Sequence, residues 1–309
     1  MESLAVNKST IGRSSSEKAK KPRRAPKAPG WMRGGLSAVE ALSPEAAGRI
    51  AAHLFFQTRR MRAQPSEIFE RGRAFGVPFE GERLAARSWG DGPTVILGHG
   101  WNGRATQLAP FIGPLVAAGF RVVAFDHVGH GESTGRATNL GQMVRALRTM
   151  TDGEHRPVGL VAHSLGAAAA TVALADGLDT FGAVLIAPPI SPKPWVAQMG
   201  QLLGLGQEAL GCAQAHIEAR VGRSLDAVHG PTLAREIAAP ALIVHDRDDR
   251  EVPLACGEAL HGAWTGSRLV VTEGLGHRRL LGDVAVREAT RDFLSLTHSG
   301  SHSMKIGLE

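Results

Sequence analysis

The chain has 309 residues, 43% of them hydrophobic and 21% charged, enough for one large α/β domain or two ordinary ones. No apolar run reaches the length of a membrane span and the start lacks the apolar core of a secretory signal, so a cytoplasmic protein is expected. Two cysteines, Cys212 and Cys256, make neither a disulfide framework nor a metal-ligand spacing, and the absence of tyrosine excludes chemistry that needs a phenol.

The net charge of +6 is unevenly placed. Residues 1–30 hold eight Lys or Arg and two acids, which leaves 27 basic and 27 acidic residues in a neutral body, so no specific nucleic-acid partner is expected. This basic tail, taken as residues 1–42, has too few large apolar side chains to bury a core and is expected to be disordered. A weak contact with an anionic surface is its functional reading, and a solvated extension is the plainer one.

Residues 43–74 read as an N-terminal helical segment. Ser43-Pro44-Glu45 supplies a cap, a first-position proline and a first-turn acid for a helix to about Arg60, with Ile50, Leu54 and Phe55 on one face. From Phe75 the pattern turns to strands. Phe75–Phe79 and Leu84–Trp89 flank a Glu80-Gly81 turn, and Thr94–Leu97 is short, apolar and bounded by turns. A regular alternation follows: helix near Leu108–Ala118, strand Arg121–Phe125, helix near Leu140–Met150, strand Val158–Val161, helix Leu165–Leu174 and strand Ala183–Ile186. It stops over 188–239, where glycine-broken, apolar helices read as a lid. It resumes over 240–298 with strand Ala241–His245, helix Leu254–Ala263, strand Arg268–Thr272 and helix Val284–Leu296, and a tail occupies 299–309. Alternation of this kind predicts a mostly parallel, doubly wound sheet with an antiparallel start and a helical insertion.

Ligands of such sheets bind beyond the carboxyl ends of the strands, and chemistry-bearing residues collect there. Ser164 lies between a buried strand and an Ala-rich helix, in the pattern Ala162-x-Ser164-x-Gly166. Taken alone it is equally an ordinary helix cap. His99-Gly100-Trp101 follows the Thr94 strand, Asp246 to Pro253 follows the Ala241 strand, and His277 follows the Arg268 strand.

A serine, an acid and a histidine in that chain order, each just past a strand, resemble the α/β-hydrolase fold over about Phe75–Leu296. The resemblance implies a nucleophile Ser164, a general base His277 and an orienting acid Asp249, the last favoured over Asp246 and Asp248 by the acid-x-x-Val-Pro pattern. It also implies an oxyanion hole from the N–H groups of Trp101 and Leu165. Ala162 replaces the first glycine of the family's elbow, a change of one methyl group. His99, His163, Asp126 and His130 are read as scaffold. The implied activity is a serine hydrolase cleaving a carboxylic ester or thioester of a small, apolar acyl substrate through an acyl-enzyme. Amide, peptide or carbon–carbon cleavage, acyl transfer, and a non-catalytic binding protein on the same fold are the alternatives. No cofactor or metal is expected. Trp195, Met199 and Leu202 in the insertion are candidate substrate contacts, and packing among themselves is the competing reading.

Overall fold

A computed structural model describes residues 28–306 apart from 64 and 155, so the basic residues 1–27 lie outside it. Helices α1 (Gly30–Leu42), α2 (Pro44–Phe55) and α3 (Glu67–Glu70) precede strands β1 (Arg73–Phe79), β2 (Glu82–Trp89) and β3 (Thr94–Gly98). Then come α4 (Ala109–Ala117), β4 (Arg121–Phe125), α5 (Leu140–Thr151), β5 (Val158–His163), α6 (Leu165–Ala175) and β6 (Thr180–Ile186). Helices α7 (Lys193–Leu203), α8 (Gln207–Val221) and α9 (Gly230–Ala234) occupy the insertion. The chain ends with β7 (Ala241–Asp246), α10 (Leu254–Ala263), β8 (Ser267–Thr272), α11 (Gly276–Arg279) and α12 (Val284–Ile306).

The strands form one sheet in the order β1-β2-β4-β3-β5-β6-β7-β8, and only β2 runs against the others. The two-residue hairpin turn between β1 and β2 has positive φ at both Glu80 (48°) and Gly81 (77°), the twist that right-handed strands require. The central strands β3, β5, β6 and β7 are buried along their whole length, which is why they read as continuous apolar runs. Alternate residues feed two cores. Ile96, Leu160 and Leu185 face α5 and α6, whereas Val95, Leu97, Val161 and Val184 face α4 and α12. The order reverses at β3, whose two neighbours are β4 and β5. A crevice therefore opens past the carboxyl ends of β3 and β5, where His99–Trp101 and Ser164 emerge.

Three features depart from the sequence reading. Helix α1 occupies residues assigned to the tail, because Met32, Leu36 and Val39 form a stripe at helical spacing that packs with Ala47, Ala51, Leu203 and Ala213. Helix α2 stops at Phe55, and its buried face is Ala47, Gly48, Ala51 and Ala52, while Ile50 and Leu54 are exposed. Helix α12 runs on to Ile306, through most of the expected C-terminal tail. The start of α2 matches the expected cap, with Ser43 Oγ accepting the Ala46 N–H at 3.1 Å.

The choice of face on α2 follows from close packing on α8. A Cβ at Gly48 would lie 2.6 Å from Cys212 Cβ, 2.7 Å from Ala213 N and 2.8 Å from Ala209 O. Gly48→Ala gains about 1 kcal/mol of helix propensity. Overpacking against backbone atoms that cannot rotate away costs about 1–3 kcal/mol, so the balance falls on the unfavourable side. Gly48→Ala is therefore expected to lower stability in urea denaturation. An increase would mean that the two helices separate at little cost.

Candidate active site

The turn after β5 is built by steric necessity. Ser164 adopts φ 53° and ψ −125°, unusual for a residue with a side chain, and its N–H is held by Ile186 O at 2.9 Å. Helix α6 can start there because Gly166 lies against β3. A Cβ on Gly166 would come within 2.5 Å of His99 O and 2.8 Å of Gly98 O. On the other side, a Cβ at Gly100 would lie 2.8 Å from Ser164 Cβ. These two glycines let the β3 loop close on the serine. Ala162 is buried and its methyl group is accommodated, with an added Cβ at Gly98 3.8 Å away.

The β8 loop brings His277 to the serine. His277 Nε2 lies 3.0 Å from Ser164 Oγ, and Nδ1 lies 2.7 Å from Asp249 Oδ2. An ionised carboxylate can only accept, so Nδ1 carries the proton and Nε2 presents a lone pair to the hydroxyl. Burial alone would raise the Asp249 carboxyl, but hydrogen bonds from His277 and from the Val252 and Glu251 N–H groups outweigh it and hold the group below its ordinary range. His163 Nε2–H donates to His277 O at 2.9 Å, so the backbone of the β8 loop is braced as well as the His277 ring.

The three neighbouring aspartates divide their work. Asp246 accepts from the Asp248, Leu275 and Gly276 N–H groups and from the Thr272 hydroxyl, at 2.7–3.1 Å. Asp248 accepts from the Gly274 N–H at 2.9 Å. Both hold the loop that ends in His277, and Asp249 alone of the three meets the imidazole.

Trp101 and Leu165 line the same cavity as Ser164, and among the described residues neither backbone N–H has a hydrogen-bond acceptor. The loop carrying Trp101 is fixed by its neighbours. His130 Nε2 accepts the Asn102 N–H at 3.0 Å, and His99 Nδ1–H donates to Gly100 O at 2.7 Å. Asp126 accepts the Ala105 and Glu132 N–H groups, at 2.7 and 2.8 Å. These residues brace the turns around the site and do not contact Ser164 or His277 through hydrogen bonds.

Ser164 and His277 open on a cavity of about 1010 Å³, which Trp195, Met199 and Leu202 all line, together with Leu203, Ile217 and Val221. Leu202 and Met199 also pack on the α1–α2–α8 cluster, so lining and packing are combined in the same side chains. The sequence reading missed a further part of the lining, formed by Leu54, Phe55, Phe56 and Met61. Residues 58–61 are strapped over the β4 loop. The Arg60 guanidinium donates to the carbonyls of His130, Gly131, Ser133 and Gly135, at 2.5–3.3 Å. Thr58 donates to Gly129 O at 2.8 Å, and the Arg59 N–H reaches Asn102 Oδ1 at 2.7 Å. The apolar run Leu54-Phe55-Phe56 at a helix end, followed by Arg59-Arg60, was the signal available. Among the described residues no group of three or more His, Cys, Asp or Glu could hold a metal ion.

The bracing histidines set an acid limit on stability. Burial foremost holds His99 at about 4, and His130 and His163 at about 3, against an ordinary value of 6.5. The unfolded chain takes up these protons below about 6.5, whereas the folded chain resists them until pH 3–4. Their contribution is therefore complete above pH 6.5 and declines as the pH falls toward 4. The melting temperature is expected to drop steadily from pH 7 to pH 4, and a flat profile over that interval would contradict neutral burial.

Comparison with known proteins supports the fold. A family model described as serine aminopeptidase, S33 matches residues 92–227, and one described as TAP-like protein matches residues 207–300. Protein ABHD12B of Homo sapiens is 28% identical over 222 residues, 66% of this chain and 60% of that protein, so the chain spans about three-fifths of that relative's length. An uncharacterized protein of Mycobacterium tuberculosis is 29% identical over 233 residues, 72% of this chain and 76% of that protein. Est1E from Butyrivibrio proteoclasticus, solved with ferulic acid bound, superimposes with a TM-score of 0.61 at 20% identity, covering 73% of this chain and 100% of that one. With its eight-stranded sheet, its strained serine turn and these matches, the chain has the α/β-hydrolase fold.

Proposed function

We propose that the protein is a serine hydrolase acting on carboxylic esters or thioesters with an apolar acyl group. The observation that carries this reading is the unbroken hydrogen-bonded line Asp249–His277–Ser164, ending at the wall of a large, mainly apolar cavity. Ferulic acid, a carboxylic acid, is bound in the structural neighbour Est1E, and such an acid is the acyl product of ester cleavage.

A serine hydroxyl is a weak nucleophile at neutral pH. As Ser164 Oγ attacks the carbonyl carbon, its proton passes to His277 Nε2, and Asp249 stabilises the imidazolium. The carbonyl oxygen becomes an oxyanion facing the Trp101 and Leu165 N–H groups, a donor pair in which each member is worth about 3 kcal/mol in the transition state. His277 then gives the proton to the leaving oxygen or sulfur, and the acyl group stays on Ser164. Water, deprotonated by the same imidazole, attacks the acyl-enzyme and releases the acid, restoring the serine. The protons balance over the cycle without any further group.

A fluorophosphonate probe is expected to label Ser164, and Ser164→Ala to abolish both labelling and turnover. Asp249→Asn should lower kcat by roughly 10³–10⁴-fold with little change in folding, because the imidazole loses its fixed tautomer. Labelling retained in the alanine variant, or a larger loss from Asp248→Asn than from Asp249→Asn, would overturn the assignment.

Chain length tests the cavity. Each methylene buried there adds up to about 0.8 kcal/mol, about fourfold in kcat/KM, until the space is filled. Short-to-medium acyl p-nitrophenyl esters are expected to exceed the acetate, with a rise and then a fall. Leu202→Ala and Met199→Ala should move the maximum toward longer chains. An unchanged profile would leave these side chains as packing alone.

A further inference from the structure

Exposed large apolar side chains are concentrated in one stretch of the chain. Among the described residues nine stand out to solvent, and six of them (Trp31, Leu42, Ile50, Leu54, Met61 and Ile68) lie between residues 31 and 68. Isolated exposed apolar residues are ordinary, whereas a group at the rim of a cavity indicates a surface that is covered in use. Ile50 and Leu54 are one helical turn apart on α2 and exposed, flanking the side that buries Ala47, Gly48 and Ala51. Leu54 and Met61 are both exposed and also line the cavity onto which Ser164 opens, so apolar side chains face both solvent and the site.

Charge selects what covers this surface. The cavity lining contains Arg62, Arg104, Arg278 and Arg279 but only one acid, Glu251, which is paired with Arg278 at 3.2 Å. Arg104 is nearly buried, and its nearest carboxylate, Glu132, is 4.0 Å away and exposed. Arg279 donates to a backbone carbonyl, Gly274 O. Arg62 has no hydrogen-bond or ion-pair partner among the described residues. The chain leading into α1 adds eight Lys or Arg against two acids within residues 1–30. Apolar side chains that penetrate, beside an excess of cations over acids, match the surface of a bilayer containing anionic lipid. A partner protein would need no such excess of one sign, and a second copy of this chain would set cations against cations.

We propose that the exposed face of α2, with Ile50, Leu54, Met61 and Arg62, docks the mouth of the cavity on an anionic lipid bilayer, from which an acyl ester enters the site. The docking stands by itself; the entry of an ester rests on the hydrolase reading above. The two fail separately, since binding to vesicles needs no turnover and turnover of a soluble p-nitrophenyl ester needs no vesicle.

The test is co-sedimentation of the full chain with vesicles of phosphatidylcholine alone and of phosphatidylcholine with phosphatidylglycerol. The protein is expected to bind the mixed vesicles, to bind phosphatidylcholine at least tenfold more weakly, and to dissociate as salt rises. Ile50→Asp and Leu54→Asp should each reduce binding to the mixed vesicles severalfold. Ile50 lies outside the cavity and the packed face, so its variant should melt at the parent temperature and still turn over the soluble ester. A parent that binds neither vesicle overturns the proposal. So does Ile50→Asp binding as tightly as the parent while deletion of residues 1–27 abolishes binding, which would assign the contact to the tail alone. Sedimentation of the parent as a dimer that Ile50→Asp converts to a monomer would likewise overturn it, by assigning the face to a second copy.

Discussion

The geometry of the site depends on one backbone turn. Ser164 is held at positive φ, at a cost of about 1–3 kcal/mol for a residue with a side chain. The surroundings over-determine that conformation. Ile186 O fixes the Ser164 N–H, the Ser164 carbonyl starts α6 by accepting from Ala167 and Ala168, and Gly166 and Gly100 leave no room for the turn to relax sideways. The result is a hydroxyl raised above the sheet at the β3–β5 crevice, with the first N–H of α6 beside it. Strain held this way by fully buried strands is affordable because β5 and β6 have no solvent-exposed residue through which to loosen.

Around that turn, buried polar groups act as braces, and nearly all of them act on backbone. Asp246, with the exposed Asp248 beside it, holds the loop before His277, Asp126 holds the β3 and β4 loops, and His99, His130 and His163 each tie a carbonyl or an N–H. A buried carboxylate is tolerated only where donors surround it, and Asp246 meets that condition through four of them. The same arrangement keeps the histidines neutral, since burial disfavours the imidazolium more than their carbonyl contacts favour it. His127 is the exception: among the described residues neither ring nitrogen has a hydrogen-bond partner, and its ring packs edge-on with His99 and Phe125.

The cavity is assembled from segments distant in sequence. Helices α7 and α8 supply one wall, and the end of α2 with the strap through Arg60 supplies another. Both family matches begin after residue 90, so this second wall lies outside the region they cover. Close packing of α2 on α8 joins the two walls into one unit, and Arg59 links the strap to Asn102, next to Trp101. The N-terminal segment thus meets the loop that faces the serine through direct contacts rather than through the sheet.

Much of this was legible in the sequence, because the constraints involved are local. A continuous apolar run predicts a strand buried on both faces, a small-x-Ser-x-Gly pattern predicts a tight strand-to-helix turn, and Ser43-Pro44 predicts a capped helix start; each depends on atoms within a few residues. The chain order of Ser164, Asp249 and His277 at successive strand ends carried the fold, since parallel strands deliver their loops to one edge. What tertiary structure decided depends on direction and proximity. Three aspartates within four residues look alike in sequence, and only the path of the β7 loop turns Asp249 toward His277 while Asp246 faces the backbone. On α2, hydropathy points to Ile50 and Leu54 as the buried face. The close approach of α8 instead selects alanine and glycine for burial and leaves the larger side chains outside, because the space between two packed helices, rather than the apolarity of a side chain, sets what fits there.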